Sequence, residues 1–123
     1  MPPYDLQERT RLFAIAVVKF CRQLPKSDEA QEEGRQLRRA ATAVRRNYRA
    51  ARRGRSRAEF EAKLGTVFEE ADECVDCLEA LRDMRVRPDT ALIQEARELA
   101  SIFARPVSTA RNNTRRSKDL LNS

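Results

Sequence analysis

Phe60, Leu64, Val67, Ala71, Cys74, Leu78 and Leu81 recur at steps of three and four through a stretch of the chain that contains no proline. That spacing sets all seven on one stripe of a 3.6-residue helix, with Phe68 and Val75 on its flank. A pattern sustained over residues 57–84 predicts a single helix about 42 Å long. Such a helix is stable in water only when its apolar stripe is covered, and the cheapest cover is other helices of similar length.

The rest of the chain supplies three. Leu6, Phe13, Val17, Phe20 and Leu24 predict a first helix over about 5–24, and Leu12, Ile15, Val18 and Cys21 widen its stripe so that burial on more than one side is expected. Pro25 ends it, and Ser27 or Asp28 can cap the next. Leu37, Ala41, Val44, Tyr48 and Ala51 predict a second helix over 28–53, closed by Gly54 as a C-terminal cap. Ser56-Arg57-Ala58-Glu59 reads as a capping box at the start of the long third helix. After Arg87-Pro88-Asp89, the residues Leu92, Ala96, Leu99, Phe103 and Ala110 predict a fourth helix over 90–111. Pro106 falls inside that pattern and is expected to kink or divide it, and 112–123 reads as a polar, fraying tail. Four helices with short connections and no competing strand pattern give an all-α, antiparallel up-and-down four-helix bundle, a single domain over 1–123.

Charge is distributed unevenly over this framework. Of 123 residues, 25 are basic and 19 acidic, for a net charge of +6. Ten arginines and no acid lie between Gly34 and Ala58, so the remainder of the chain is mildly acidic and the block alone makes the protein basic. Arginine dominates the cations, and its planar fork suits bidentate contact with phosphate. A polyanionic partner, RNA or DNA, is the simplest reading.

The third helix carries Glu69, Asp72, Asp76, Glu79 and Asp83 as an acidic ridge. Folding the second helix back on the third about Gly54 sets Arg35, Arg38 and Arg39 near Asp72 and Asp76, which predicts structural ion pairs there. Arg45, Arg46, Arg49, Arg52, Arg53, Arg55 and Arg57 face only Glu59 and Glu61 and remain in excess. Up-and-down connectivity brings both chain ends to the same pole, so Arg9, Arg11, Arg111, Arg115, Arg116 and Lys118 are expected to join them. The predicted nucleic-acid site is therefore Arg45, Arg46, Arg49, Arg52, Arg53, Arg55, Arg57, Arg111, Arg115 and Arg116, contacting phosphates rather than base edges. The spacing of Tyr48 with Val44 and Ala51 assigns it to the core rather than to base stacking.

Other chemistry finds little support. Cys74-Val-Asp-Cys77 has CxxC spacing, but it lies in mid-helix, the chain has no histidine, and only Cys21 remains as a further thiol; a packed thiol pair is the expected state. Neither a phosphate loop nor a nucleophile motif is present, so a non-enzymatic protein without metal or cofactor is expected. The longest apolar run, 12–18, is too short to span a membrane, and the N-terminal residues do not resemble a secretory signal. An odd number of cysteines fits a cytoplasmic, reducing location.

The stretch from Gln36 to Leu81, continued in Ala96 to Arg111, resembles the bacterial four-helix bundle proteins first met as reading frames in intervening sequences of large-subunit ribosomal RNA genes. Its most specific segments are Gln36-Leu37-Arg38-Arg39-Ala40-Ala41, Asn47-Tyr48-Arg49, Ser56-Arg57-Ala58-Glu59-Phe60 and Lys63-Leu64-Gly65. The resemblance implies a homopentameric barrel. A related branch comprises accessory proteins of diversity-generating retroelements, which bind nucleic acid and partner a reverse transcriptase. It therefore also implies an alternative: an oligomeric scaffold that docks such a protein and uses its arginines in subunit pairing. Ala50 departs from the glutamate usual in the family, and Pro106 from a small helix former.

Overall fold

A computed structural model describes residues 5–121, with side chains through Arg105. It contains four helices among the described residues: α1 (Leu6–Arg22), α2 (Asp28–Ala51), α3 (Arg57–Asp83) and α4 (Thr90–Leu121). Helix α2 packs against α1 and α3, and α4 closes the square against α3 and α1, leaving α1 and α3 on opposite corners. Each start is chemically marked. Asp5, Ser27 and Ser56 accept hydrogen bonds from the backbone N–H groups of Glu8, Ala30 and Glu59, satisfying first-turn donors that helix geometry leaves unpaired.

The core is built from the predicted stripes: Phe13, Val17 and Phe20 of α1, Leu37 and Val44 of α2, Leu64, Val67, Cys74, Leu78 and Leu81 of α3, and Leu92, Leu99 and Phe103 of α4. Small residues admit close helix approach at Ala40, Ala41 and Gly34 on α2. A methyl group on Gly34 would stand 2.7 Å from the buried Leu24 side chain. Leu24 itself lies past the end of α1, which stops at Arg22.

Several boundaries and packing expectations are corrected. Helix α2 ends at Ala51 rather than residue 53, with Arg52 as its cap, and Gly54 does not adopt a left-handed conformation. The glycine serves close approach instead, because a Cβ there would meet the Ala51 carbonyl oxygen at 3.1 Å and the Phe60 nitrogen at 3.3 Å. The left-handed residue is Arg85, with φ of 58°, after α3; the Val86 N–H donates to the Leu81 carbonyl in the six-to-one bond of a Schellman ending. Helix α4 continues through Pro106 to Leu121, so neither a helix end at 111 nor a separate tail from 112 is found. Pro106 removes one backbone donor, yet the helix runs on past it.

Two buried stripes are narrower than the spacing predicts. Phe60 is 37% exposed in the first turn of α3, where the hairpin leaves nothing to cover it. Leu12 and Ile15 are 52% and 39% exposed, so α1 is buried on one side, not on several. Their exposure leaves an apolar strip on the outside of the bundle.

Candidate functional site

The α2–α3 hairpin positions the arginine field. Helix α2 delivers Arg46 and Arg49 in its last turns, the turn carries Arg52, Arg53 and Arg55, and α3 begins with Arg57. All six side chains are exposed. Among the described residues only Arg57 has an acidic partner, Glu61 at 3.1 Å on its own helix. Glu59 is engaged otherwise: its amide N–H donates to the Ser56 hydroxyl at 3.1 Å, while its carboxylate accepts the Arg55 amide N–H at 2.6 Å. The capping box therefore closes one residue earlier than the motif implies. Arg53, Arg55 and Lys63 border a shallow depression with Gly54 and Glu59 at its rim.

The remaining predicted residues divide. Arg45 is half-buried and lines the groove between α1 and α2 with Arg11, Lys19 and Arg22, away from the hairpin. Arg46 borders a second depression with Arg35, Arg38 and Arg39, which carries positive charge along α2 toward its start. The side chains of Arg111, Arg115, Arg116 and Lys118 lie outside the described residues.

The expected neutralisation of α2 against α3 occurs through different acids. Arg39 pairs with Glu70 at 3.3 Å and with Glu73, close to the register of a hairpin folded about Gly54. Glu70 and Glu73 flank the contact face of α3, whereas Asp72 and Asp76 point outward and pair with nothing among the described residues. Arg35 pairs with Glu32 one turn earlier on its own helix, and Arg38 has no carboxylate partner among the described residues. The excess of positive charge thus begins earlier on α2 than the sequence implies.

The α1 cations behave differently as well. Arg9 forks onto Glu95, at 2.9 and 2.6 Å, and reaches Glu98 at 3.4 Å, so it ties α1 to α4 rather than joining the field. Arg11 pairs with Glu8 at 2.6 Å, and this contact holds the Glu8 carboxyl below its ordinary range. Tyr48 packs its ring 5.5 Å from that of Phe103, against the core, and burial raises its hydroxyl pKa. Its place among the apolar residues agrees with the periodicity rather than with a stacking platform.

Cys21, Cys74 and Cys77 are all buried, and burial is the first cause of raised pKa in each, pushing Cys77 up to about 12. A raised folded-state pKa means that the folded protein holds the thiol proton more tightly than the unfolded chain. The associated stability is complete below the ordinary value of 9.0 and is lost as pH climbs toward the folded value. Urea midpoints should therefore decline from pH 9 upward, and alkylation at neutral pH should require unfolding. Rapid alkylation of the native protein would show that the thiols are accessible.

No helix among the described residues is long and apolar enough to cross a membrane, and no cluster of three or more metal-ligating side chains occurs among them. No curated protein matches the sequence significantly. A crystal structure at 1.70 Å resolution of a protein of unknown function from the S23 ribosomal protein family, from Bacteroides thetaiotaomicron VPI-5482, superposes with a TM-score of 0.72. It covers 79% of this chain and 93% of its own at 23% identity, which establishes a shared fold. The sequence family described as 23S rRNA-intervening sequence protein matches residues 4–105, nearly the whole of the four-helix core. On that match, the chain belongs to the 23S rRNA-intervening sequence protein family.

Proposed function

We propose that this is a non-enzymatic, cytoplasmic protein that assembles as a homopentamer and binds RNA or DNA phosphates through the arginine field of the α2–α3 hairpin. The observation that supports it most is a set of five exposed arginines, Arg46, Arg49, Arg52, Arg53 and Arg55, whose side chains have no carboxylate partner among the described residues. Like charges concentrated at one end of a bundle repel one another, and a polyanion relieves that repulsion. The field presents guanidinium groups, and Tyr48 within it packs against the core rather than outward for base stacking, so contact runs to the backbone and selectivity comes from nucleic-acid shape. Repetition of the field around an oligomer would multiply weak single contacts into avid binding.

A titration of the protein with duplex DNA and with structured RNA across a salt series tests this reading. Engagement of about five phosphates on a duplex predicts a log–log slope of the binding constant against salt of about −4.5. A flat slope, or no binding at low salt, would reject it. Light-scattering mass on the same samples tests the assembly separately.

A further inference from the structure

The groove between α1 and α2 has a composition that nucleic acid does not explain. It is lined by the apolar Ala14, Ile15 and Val18, by Thr42, and by the cations Arg11, Lys19, Arg22 and Arg45. Leu12, beside it on α1, is more than half exposed. A phosphate backbone would meet the cations and leave the apolar side chains wet. An acidic helix with apolar residues on the same face would satisfy both.

This chain carries such a face on its opposite corner. Glu69, Asp72 and Asp76 are exposed on α3 at steps of three and four, and none of them has a basic partner among the described residues. Phe68 and Val75, both half-buried, flank them at matching spacing. From Phe68 to Asp76 the face is about 12 Å long, and from Arg11 to Arg22 the groove is about 16 Å long, so one seats within the other.

From this complementarity we infer that the α1–α2 groove of one copy receives the outward face of α3 from a second copy. Leu12 and Ile15 pack against Phe68 and Val75 across the contact, and Lys19, Arg22 and Arg45 meet Glu69, Asp72 and Asp76. Because α1 and α3 occupy opposite corners, the two surfaces of one copy cannot both be satisfied by a single two-fold partner. The contact is heterologous and passes from copy to copy, closing as a ring in the pentamer of the proposed function. The inference rests on the self-association in the proposed function and assigns its surfaces. It also divides the arginines by role: Arg45 belongs to assembly, and the hairpin arginines stay outside the contact.

Charge reversal in both surfaces tests it. Lys19→Glu with Arg22→Glu in one variant, and Asp72→Lys with Asp76→Lys in another, should each reduce the light-scattering mass to the monomer value of 14.2 kDa while the helical signal and unfolding midpoint persist. A chain carrying all four reversals should assemble again. An assembled wild type with both double variants still assembled would overturn the surface assignment alone. A wild type that stays monomeric at every concentration would overturn the assignment together with the self-association beneath it.

Discussion

Phe103→Ala is expected to destabilise the bundle by about 3–5 kcal/mol, the cost of deleting a well-packed aromatic side chain from a core. Phe103 is 2% exposed and its ring stands against Tyr48, so truncation removes both its burial and an aromatic pair at the hairpin end of the bundle. Native domains hold only about 5–15 kcal/mol in total. A fall in the melting temperature on the order of 15 °C follows for a chain of this size. Leucine in the same place retains most of the volume and should cost about 1–2 kcal/mol. Urea unfolding of the two variants separates them. A loss under 1 kcal/mol in the alanine variant would mean that α4 contributes little to the core at this level.

The same residue shows what the sequence made legible. Phe103 continues the series Leu92, Ala96, Leu99, whose period alone identifies a buried face, and each of the four is buried, while the side chain of Ala110, next in the series, lies outside the described residues. Periodicity reports the direction of a side chain about its helix axis, which determines burial wherever another helix lies in that direction. It fails where no neighbour stands. Leu12 and Ile15 lie about 100° and 160° round α1 from Phe13, and they face outward because only two helices contact α1 and neither lies on that side.

Charge was legible to a coarser degree. The hairpin register followed from Gly54 and the helix lengths, and Arg39 does meet α3 close to the expected level. Which acid it meets depends on rotation about the α3 axis. One residue on a helix turns the side chain by about 100°, enough to exchange outward Asp72 for inward Glu73. Arg9 departs from the expected field for a related reason: its partners Glu95 and Glu98 come from α4, more than eighty residues away, and no local spacing relates them. The excess on Arg46 through Arg55 needed no such detail, since this part of the chain has too few acids nearby for any rotation to neutralise it.

Replacing Arg49, Arg52, Arg53 and Arg55 together with glutamine should remove nucleic-acid binding while leaving the fold and the assembly intact. All four are exposed and without acidic partners among the described residues, so each change should alter stability by no more than about 0.5 kcal/mol. Glutamine keeps the helix propensity and much of the length of arginine but none of its charge. If each arginine meets one phosphate, the salt slope on a duplex should rise from about −4.5 to about −0.9, the share of the remaining Arg46, with at least roughly a hundred-fold loss of affinity at low salt. Lysine at the same four positions should preserve the slope, because the charge remains, yet weaken binding where the guanidinium fork grips two phosphate oxygens. Arg82→Gln with Arg97→Gln provides the control, since these cations pair with Asp83 and Glu79 away from the hairpin. Unchanged binding in the four-glutamine variant would move the phosphate contacts elsewhere on the bundle. Loss of assembly in that same variant would instead place the hairpin arginines between subunits, and would make any loss of binding a consequence of dissociation.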